Sequence, residues 1–228
     1  MHILSSNGMK SVIVDLVPRY RSMTGTEISI TWGSAVGLVQ ELERGTRADL
    51  VILTDEMVDD LIARAKVVAG TRVDLARSGI GIAVRAGTSK PDIGSAESLK
   101  ATLLAARSVA HSRSGMSGIY FPTVLTRLGI ADAMKSRIVI PEPGTPVGEV
   151  VARGDAELGV QQISELLPVA GIEIVGPLPP PLQKITTFAA GTLVDAEDHG
   201  AVTALVKFLA AESRPLLAQR GLEPASGG

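Results

Sequence analysis

Small polar residues stand at four places where a predicted strand turns directly into a predicted helix, at residues 5–8, 33–35, 112–118 and 143–146. Hydroxyl and amide side chains at such positions commonly cap the free N–H groups of the first helical turn. In an open α/β sheet, several helix N-termini also meet beyond the carboxyl ends of the strands, where their N–H groups attract anions. The junctions therefore predict either ordinary helix caps or a site for a small oxyanion or carboxylate. The candidate ligand residues are Ser6, Asn7, Gly33, Ser34, Ala35, Ser112, Arg113, Ser117, Gly144 and Thr145, together with Gln161 and Gln162 after a later strand.

Arg113 brings the fixed positive charge to these junctions. Its planar guanidinium group matches a carboxylate through two parallel hydrogen bonds, which favours an organic anion as ligand. The alternative is an exposed arginine on a loop, because arginine is mostly a surface residue.

Several other kinds of chemistry are excluded by the residues present. The chain has no cysteine, and its three histidines, His2, His111 and His199, are too scattered for a zinc pair on one helix. Residues 79–84 lack the third glycine of a dinucleotide fingerprint, and residues 115–118 are too short for a nucleophile elbow. The acidic residues within 55–60 are typical of a solvated helix face. We therefore expect no metal and no cofactor.

Charge and composition limit the partners. The 228 residues include 24 acidic and 22 basic side chains, so the net charge of -2 gives no reason to expect nucleic acid. No apolar run reaches the roughly 18 residues of a membrane helix, so membrane insertion is not expected. The N-terminus lacks a signal-peptide pattern. As written, the sequence predicts a cytoplasmic protein, or a periplasmic one if a leader has been removed.

Strand-like and helix-like patterns alternate along the chain. Met9, Val12, Ile13 and Leu16 lie on one face of a first helix, and residues 50–53 form an apolar run typical of a strand covered on both faces. The alternation predicts an α/β protein with a largely parallel sheet. The proline-rich segment 176–182 is predicted to be a stiff extended connector, and residues 226–228 a frayed tail.

Six fragments, in this order and spacing, resemble the molybdate-type solute-binding proteins of ABC importers. They are Ile3-Leu4-Ser5-Ser6-Asn7, Ile30-Thr31-Trp32-Gly33-Ser34, Leu38-Val39-Gln40-Glu41-Leu42, Ala48-Asp49-Leu50-Val51-Ile52, Ser117-Gly118-Ile119-Tyr120 and the segment 154–160, Gly-Asp-Ala-Glu-Leu-Gly-Val. The resemblance implies the type II periplasmic-binding-protein fold, in which two α/β lobes are joined by two crossing strands and close around a ligand in the interlobe cleft. Lobe one would comprise residues 1–84 and 186–228, and lobe two residues 85–185 with the hinge connector 176–182.

The resemblance also implies a function and a set of ligand residues. The chain would bind a small anion and, if exported, would work with an ABC permease. The family's anion ligands match Asn7, Ser34 or Ala35, Ser117 and Gln162, with a backbone contact from residues 143–146. Asn7 stands where the family usually has Ser, and Gln162 where molybdate binders commonly have Tyr, which favours an organic anion larger than molybdate.

An enzymatic alternative comes from aconitate isomerase, which is built on the same fold. An allylic proton shift in an unsaturated polycarboxylate needs a base near an acidic C–H bond and donors that hold the carboxylates. The candidate bases are His111, at the end of a predicted strand, and Glu142 in the next such loop. Whether the chain is a carrier or an isomerase is left open at this point, as is a purely structural role for either residue.

Overall fold

The computed structural model describes residues 1–225, and the tail expected at 226–228 lies outside the described residues. The strands are β1 (His2–Ser6), β2 (Ser29–Gly33), β3 (Leu50–Thr54), β4 (Val73–Ser78), β5 (Ile80–Arg85), β6 (Val109–His111), β7 (Ile138–Val139), β8 (Leu158–Gln162), β9 (Ile172–Pro177), β10 (Thr186–Thr192) and β11 (Glu223–Pro224). The helices are α1 (Lys10–Thr24), α2 (Ala35–Glu43), α3 (Asp55–Ala63), α4 (Ala96–Ala105), α5 (Met116–Arg127), α6 (Ala131–Met134), α7 (Val147–Arg153), α8 (Ile163–Leu166) and α9 (His199–Ser213). Within residues 1–225, no helix has the length and apolar character needed to cross a bilayer.

The first compact unit comprises Met1–Ser78 and Thr186–Gly228. Its sheet has the order β11-β4-β10-β3-β1-β2, in which β1 pairs in parallel with both β2 and β3. The apolar face of α1 packs with α9 on one side of this sheet, and α2 and α3 cover the other side. α1 ends at Gly25, whose φ of 71° is the left-handed conformation that glycine adopts without strain.

The second compact unit, Gly79–Ile185, has a sheet of the order β7-β6-β8-β5-β9. Here β6 pairs in parallel with β7 and β8, while β5 is antiparallel to β8 and β9. The main core lies between one face of the sheet and the helices α4 to α6, with Phe121 fully buried. A smaller core on the other face contains Val147, Val150 and Val151 of α7.

The sheets contain more antiparallel pairing than the alternating pattern predicts. The expectation of a largely parallel sheet is wrong for β4, β10 and β11 in the first unit and for β5 and β9 in the second. Parallel neighbours require a crossover connection, usually a helix. β5 follows β4 with only Gly79 between them and belongs to the other sheet, so no helical crossover leads into β5.

The proline-rich segment differs in part from the predicted extended connector. Its first two residues end strand β9, where Pro177 lies opposite Gly81. This is compatible with proline because β9 is an edge strand, which has no neighbour on one side. Pro180–Leu182 form a 3₁₀ turn, since prolines at its first positions need no backbone N–H partner.

Candidate functional site

The second unit brings several predicted residues to one edge of its sheet. His111 lies opposite Val160 in the parallel pairing of β6 and β8, so the strands end side by side. Gln161 and Gln162 complete β8, and Ser112 follows β6 directly. The carboxyl ends of parallel strands are where ligands bind in α/β sheets.

The loop from Ser112 into α5 is closely packed around Ser112. A methyl group at Gly118 would lie 1.8 Å from the carbonyl oxygen of Ser112, and one at Gly115 would lie 2.6 Å from its Oγ. Glycine is therefore required at position 118, in the first turn of the helix. Gly115, the residue before α5, has no side chain with which to cap the N–H groups of that turn.

Polar atoms at this edge are buried without hydrogen-bond partners. Among the described residues, Ser112 Oγ, Ser117 Oγ and Gln161 Oε1 are in this state. Ser117 is only 1% exposed and stands in the first turn of α5, a helix of 12 residues. A buried hydroxyl without a partner has a substantial free-energy cost, so a ligand that supplied an acceptor there would gain affinity.

Arg113 is exposed in the same loop and forms no salt bridge within residues 1–225. Its charge is thus available to an anion at the N-terminus of α5, where the helix dipole also favours negative charge. The exposure equally fits the alternative of an ordinary loop arginine.

His111 is held in one tautomer by its surroundings. Its Nδ1 lies 3.0 Å from the carbonyl oxygen of Ser112, and because a carbonyl can only accept, Nδ1 carries the proton. The ring lies 5.4 Å from that of Phe121. Burial lowers the pKa of His111 below its ordinary value of 6.5, although the bond to Ser112 acts in the opposite direction. At neutral pH the imidazole is therefore uncharged, with the lone pair of Nε2 available to accept a proton.

The loop after β7 is the second predicted source of a base. β7 pairs with β6, so this loop begins beside the strand that carries His111. The loop turns at Gly144, with φ of 86°, and the N–H of Thr145 donates to the carbonyl oxygen of Glu142 at 3.0 Å. Glu142 itself is exposed.

The first unit places its own candidates at the carboxyl ends of β1 and β2. Ser6 lies opposite Gly33 in the parallel pairing, so Asn7 and Ser34 follow neighbouring strands. A methyl group at Gly8 would lie 2.1 Å from the ring of Phe188, which explains why the turn after Asn7 contains glycine.

The Ser34 junction contains the ordinary helix cap. Ser34 Oγ accepts a hydrogen bond from the N–H of Gly37 at 3.1 Å, which is the capping alternative stated above for these junctions. Ala35, the first residue of α2, is buried and can offer a ligand only its backbone N–H.

Glu165 was not identified from the sequence. It lies in α8, and its carboxylate accepts a hydrogen bond from Nε2 of Gln161 at 2.8 Å. The residue as a whole is half-buried, but its carboxyl group is enclosed, and this burial raises the pKa of Glu165 to about 7. No pattern in the sequence marks it, because its enclosure results from the packing of α8 against β5, β8 and β9.

Within residues 1–225, no group of three or more His, Asp or Glu side chains is placed to hold an ion. What the site offers is hydroxyl and amide groups, helix N–H groups, one arginine and one neutral histidine.

Comparison with known proteins identifies the family. Residues 1–223 match the family described as bacterial extracellular solute-binding protein. An aconitate isomerase from Pseudomonas sp is 37% identical over 97% of this chain and 87% of its own length. The molybdate-binding protein of Escherichia coli is 22% identical over 91% of this chain and 82% of its own. The structure of the periplasmic molybdate-binding protein of Azotobacter vinelandii superposes with a TM-score of 0.82 at 17% identity, covering 99% of this chain and all of that one, and it confirms the predicted type II fold. The chain belongs to the family of bacterial extracellular solute-binding proteins.

Proposed function

We propose that this protein binds a small unsaturated polycarboxylate and shifts its double bond, with His111 as the base. The observation that carries the proposal is the state of His111: buried, uncharged and fixed with its proton on Nδ1, next to a helix N-terminus. The 37% identity to an aconitate isomerase supports the same activity.

The N-terminus of α5 would hold one carboxylate of the ligand. Its uncapped N–H groups, the hydroxyl group of Ser117 and the guanidinium group of Arg113 are all donors. In the second unit we propose Gln162 and the loop containing Gly144 and Thr145 as further ligand residues, and in the first unit we propose Asn7 and Ser34.

The chemistry requires only the movement of one proton. Nε2 of His111 takes a proton from the methylene carbon beside the double bond, and the C–H electrons form a new double bond to the neighbouring carbon. The original double bond opens at the same time, and its far carbon receives a proton. Substrate and product have the same composition, so no oxidant, reductant or cofactor is needed.

A second candidate function is binding without catalysis. It is favoured by the two molybdate-binding relatives, one of which matches the fold with a TM-score of 0.82. In that case the protein would deliver an anion to an ABC permease outside the inner membrane, and His111 would serve only to orient Ser112.

Turnover separates the two functions. We would incubate the protein with trans-aconitate in D₂O and follow cis-aconitate and deuterium incorporation by NMR. The His111→Gln variant is expected to lose at least about 100-fold in rate and to keep its affinity for trans-aconitate within a few-fold. The matched control is His199→Gln, because His199 is exposed on α9 in the first unit.

Two results would overturn the isomerase. If His111→Gln retained the full rate, His111 would not be the base. If the unaltered protein bound trans-aconitate or molybdate and produced no cis-aconitate, the carrier function would take its place.

A further inference from the structure

Gln161 and Glu165 form a polar pair at the end of β8. Nε2 of Gln161 donates to Oε2 of Glu165 at 2.8 Å, whereas Oε1 of Gln161 is buried and, within residues 1–225, has no partner. Gln161 is 6% exposed. One end of its amide is thus occupied, and the other end is available to a group that the protein does not supply.

The two glutamines of β8 lie on opposite faces of the sheet, since side chains alternate along a strand. Gln162 shares its face with Leu158 and Val160, which pack in the main core with Phe121. Gln161 shares its face with Gly159, where a methyl group would lie 2.7 Å from Val151 of α7. Gln161 and Glu165 are therefore separated by the sheet from the ring of His111, which packs on Phe121.

The charge of Glu165 determines which end of the amide faces it. An ionised carboxylate only accepts hydrogen bonds, so the NH₂ group of Gln161 must turn toward it and Oε1 must point away. A protonated carboxyl can donate to Oε1 instead, and a half-turn of the amide then leaves the NH₂ group pointing away. The free end is an acceptor in the first state and a donor in the second.

We propose that Glu165 is a positioning residue that sets the orientation of the Gln161 amide and so decides whether the site presents an acceptor or a donor to its ligand. With Glu165 ionised, Oε1 of Gln161 favours a ligand hydroxyl or protonated carboxyl group; with Glu165 protonated, the NH₂ group favours an ionised carboxylate. The ligand class rests on the proposed function, whereas the orientation of the amide does not.

The ionisable groups on the elements packed against α8 have other partners or lie away from Glu165, so we expect Glu165 to titrate independently of them. β5, β9 and α7 pack against α8 and carry Arg85, Glu173, Glu149 and Arg153. Glu173 pairs with Lys90 at 3.4 Å, and Arg153 with Glu149 at 3.8 Å. Val84 lies opposite Leu158, so Arg85 is at the far end of β8 from Gln161. His111, across the sheet, has its pKa lowered below 6.5.

The orientation of the amide can be measured without ligand. We would record the side-chain ¹⁵N–¹H signals of Gln161 from pH 5 to 9, assigned by their loss in Gln161→Ala. They should shift with a midpoint within about one unit of 7, the pKa of Glu165. The shift should disappear in Glu165→Gln and persist in His111→Gln and in the matched control Glu149→Gln. A signal that does not titrate, or that loses its titration in His111→Gln alone, would overturn the proposal.

Ligand affinity tests the consequence for binding. The dissociation constant of trans-aconitate would be measured by calorimetry at pH 6 and pH 8 for the unaltered protein and for Glu165→Gln. The ionisation of the ligand cancels in the comparison, because both proteins meet the same ligand. At pH 8 the variant should bind about tenfold more tightly, because its amide can turn either way, and at pH 6 the two should agree within about threefold.

The NMR titration and the affinity measurement test separate parts of the proposal. Equal affinities at both pH values would remove the role of Glu165 in ligand choice. If trans-aconitate does not bind at all, the proposed function fails, and the NMR titration still decides whether Glu165 orients Gln161.

Discussion

The carboxyl group of Glu165 is enclosed by the protein. Within residues 1–225 its hydrogen-bond donor is the amide of Gln161, and no cation pairs with it. Burial raises the pKa of Glu165 from 4.5 to about 7. Below pH 4.5 the group is protonated in both the folded and the unfolded protein. Between pH 4.5 and 7 only the folded protein holds the proton, so the free energy of unfolding should fall as the pH rises through this range.

Glu165→Gln should remove this pH dependence. The unaltered protein should lose about 3 kcal/mol relative to the variant between pH 4.5 and pH 8, because a shift of one pKa unit corresponds to about 1.4 kcal/mol. Urea unfolding of both proteins at several pH values measures the difference. Parallel pH profiles for the two proteins would show that the carboxyl group is not perturbed.

Arg113→Ala should weaken the binding of trans-aconitate by about 10- to 100-fold with little change in stability, since the side chain is exposed and a charge-assisted bidentate contact would be lost. Arg113→Lys should recover only part of this loss, because an ammonium group cannot form the planar pair. Arg107→Ala is the matched control: Arg107 is 90% exposed and already pairs with Glu157. Equal affinities for Arg113→Ala and the control would make Arg113 an ordinary surface residue.

Ser117 could be predicted as a site residue from the sequence, whereas Glu165 could not. Ser117 was singled out because of its place before a helix, and the structure buries its hydroxyl group without a partner among the described residues. Glu165 could not be found in this way, since nothing local distinguishes it from a solvated glutamate. Its enclosure depends on strands that are distant in the sequence.

At the scale of elements, the local hydrophobic patterns predicted most helices and strands. They could not predict which strands pair when the strands are distant in the sequence. Ser34 caps α2, as predicted for its junction, and Gly25 after α1 and Thr54 before α3 stand at helix ends in the same way. β4 carries no clear apolar alternation and was missed. Its place is fixed by pairing with β10, more than 100 residues away along the chain.

The first turn of α5 gives a prediction about an element. Gly118→Ala should destabilise the protein by about 3 kcal/mol or more, because the new methyl group would lie 1.8 Å from the Ser112 carbonyl oxygen and the backbone would have to move. Gly37→Ala is the matched control. Gly37 has the same position in α2, and its methyl group would meet only the side-chain oxygen of Ser34, at 3.0 Å. Thermal unfolding of both variants should show a midpoint many degrees lower for Gly118→Ala alone.

At the scale of the whole molecule, hydrophobic residues make up 45% of the chain and aromatic residues only 3%, which favours an aliphatic core. Within residues 1–225, aliphatic side chains predominate in four apolar clusters. The chain passes between its two compact units after Ser78 and again before Thr186, so β5 lies wholly in the second unit. In neither sheet does the order of the strands follow their order along the chain. The strand order could not be predicted, because local hydrophobic periodicity carries no information about it.

A final prediction concerns residues in both units. At 100 times its dissociation constant, trans-aconitate should stabilise the protein by about 2.7 kcal/mol and raise the unfolding midpoint by several degrees. Ser117→Ala should raise the unliganded midpoint, because it removes a buried hydroxyl group that has no partner among the described residues, and it should reduce the ligand-induced rise. Asn7→Ala should also reduce that rise, because Asn7 is a proposed ligand residue of the first unit. A full rise in Asn7→Ala together with a reduced one in Ser117→Ala would confine binding to the second unit.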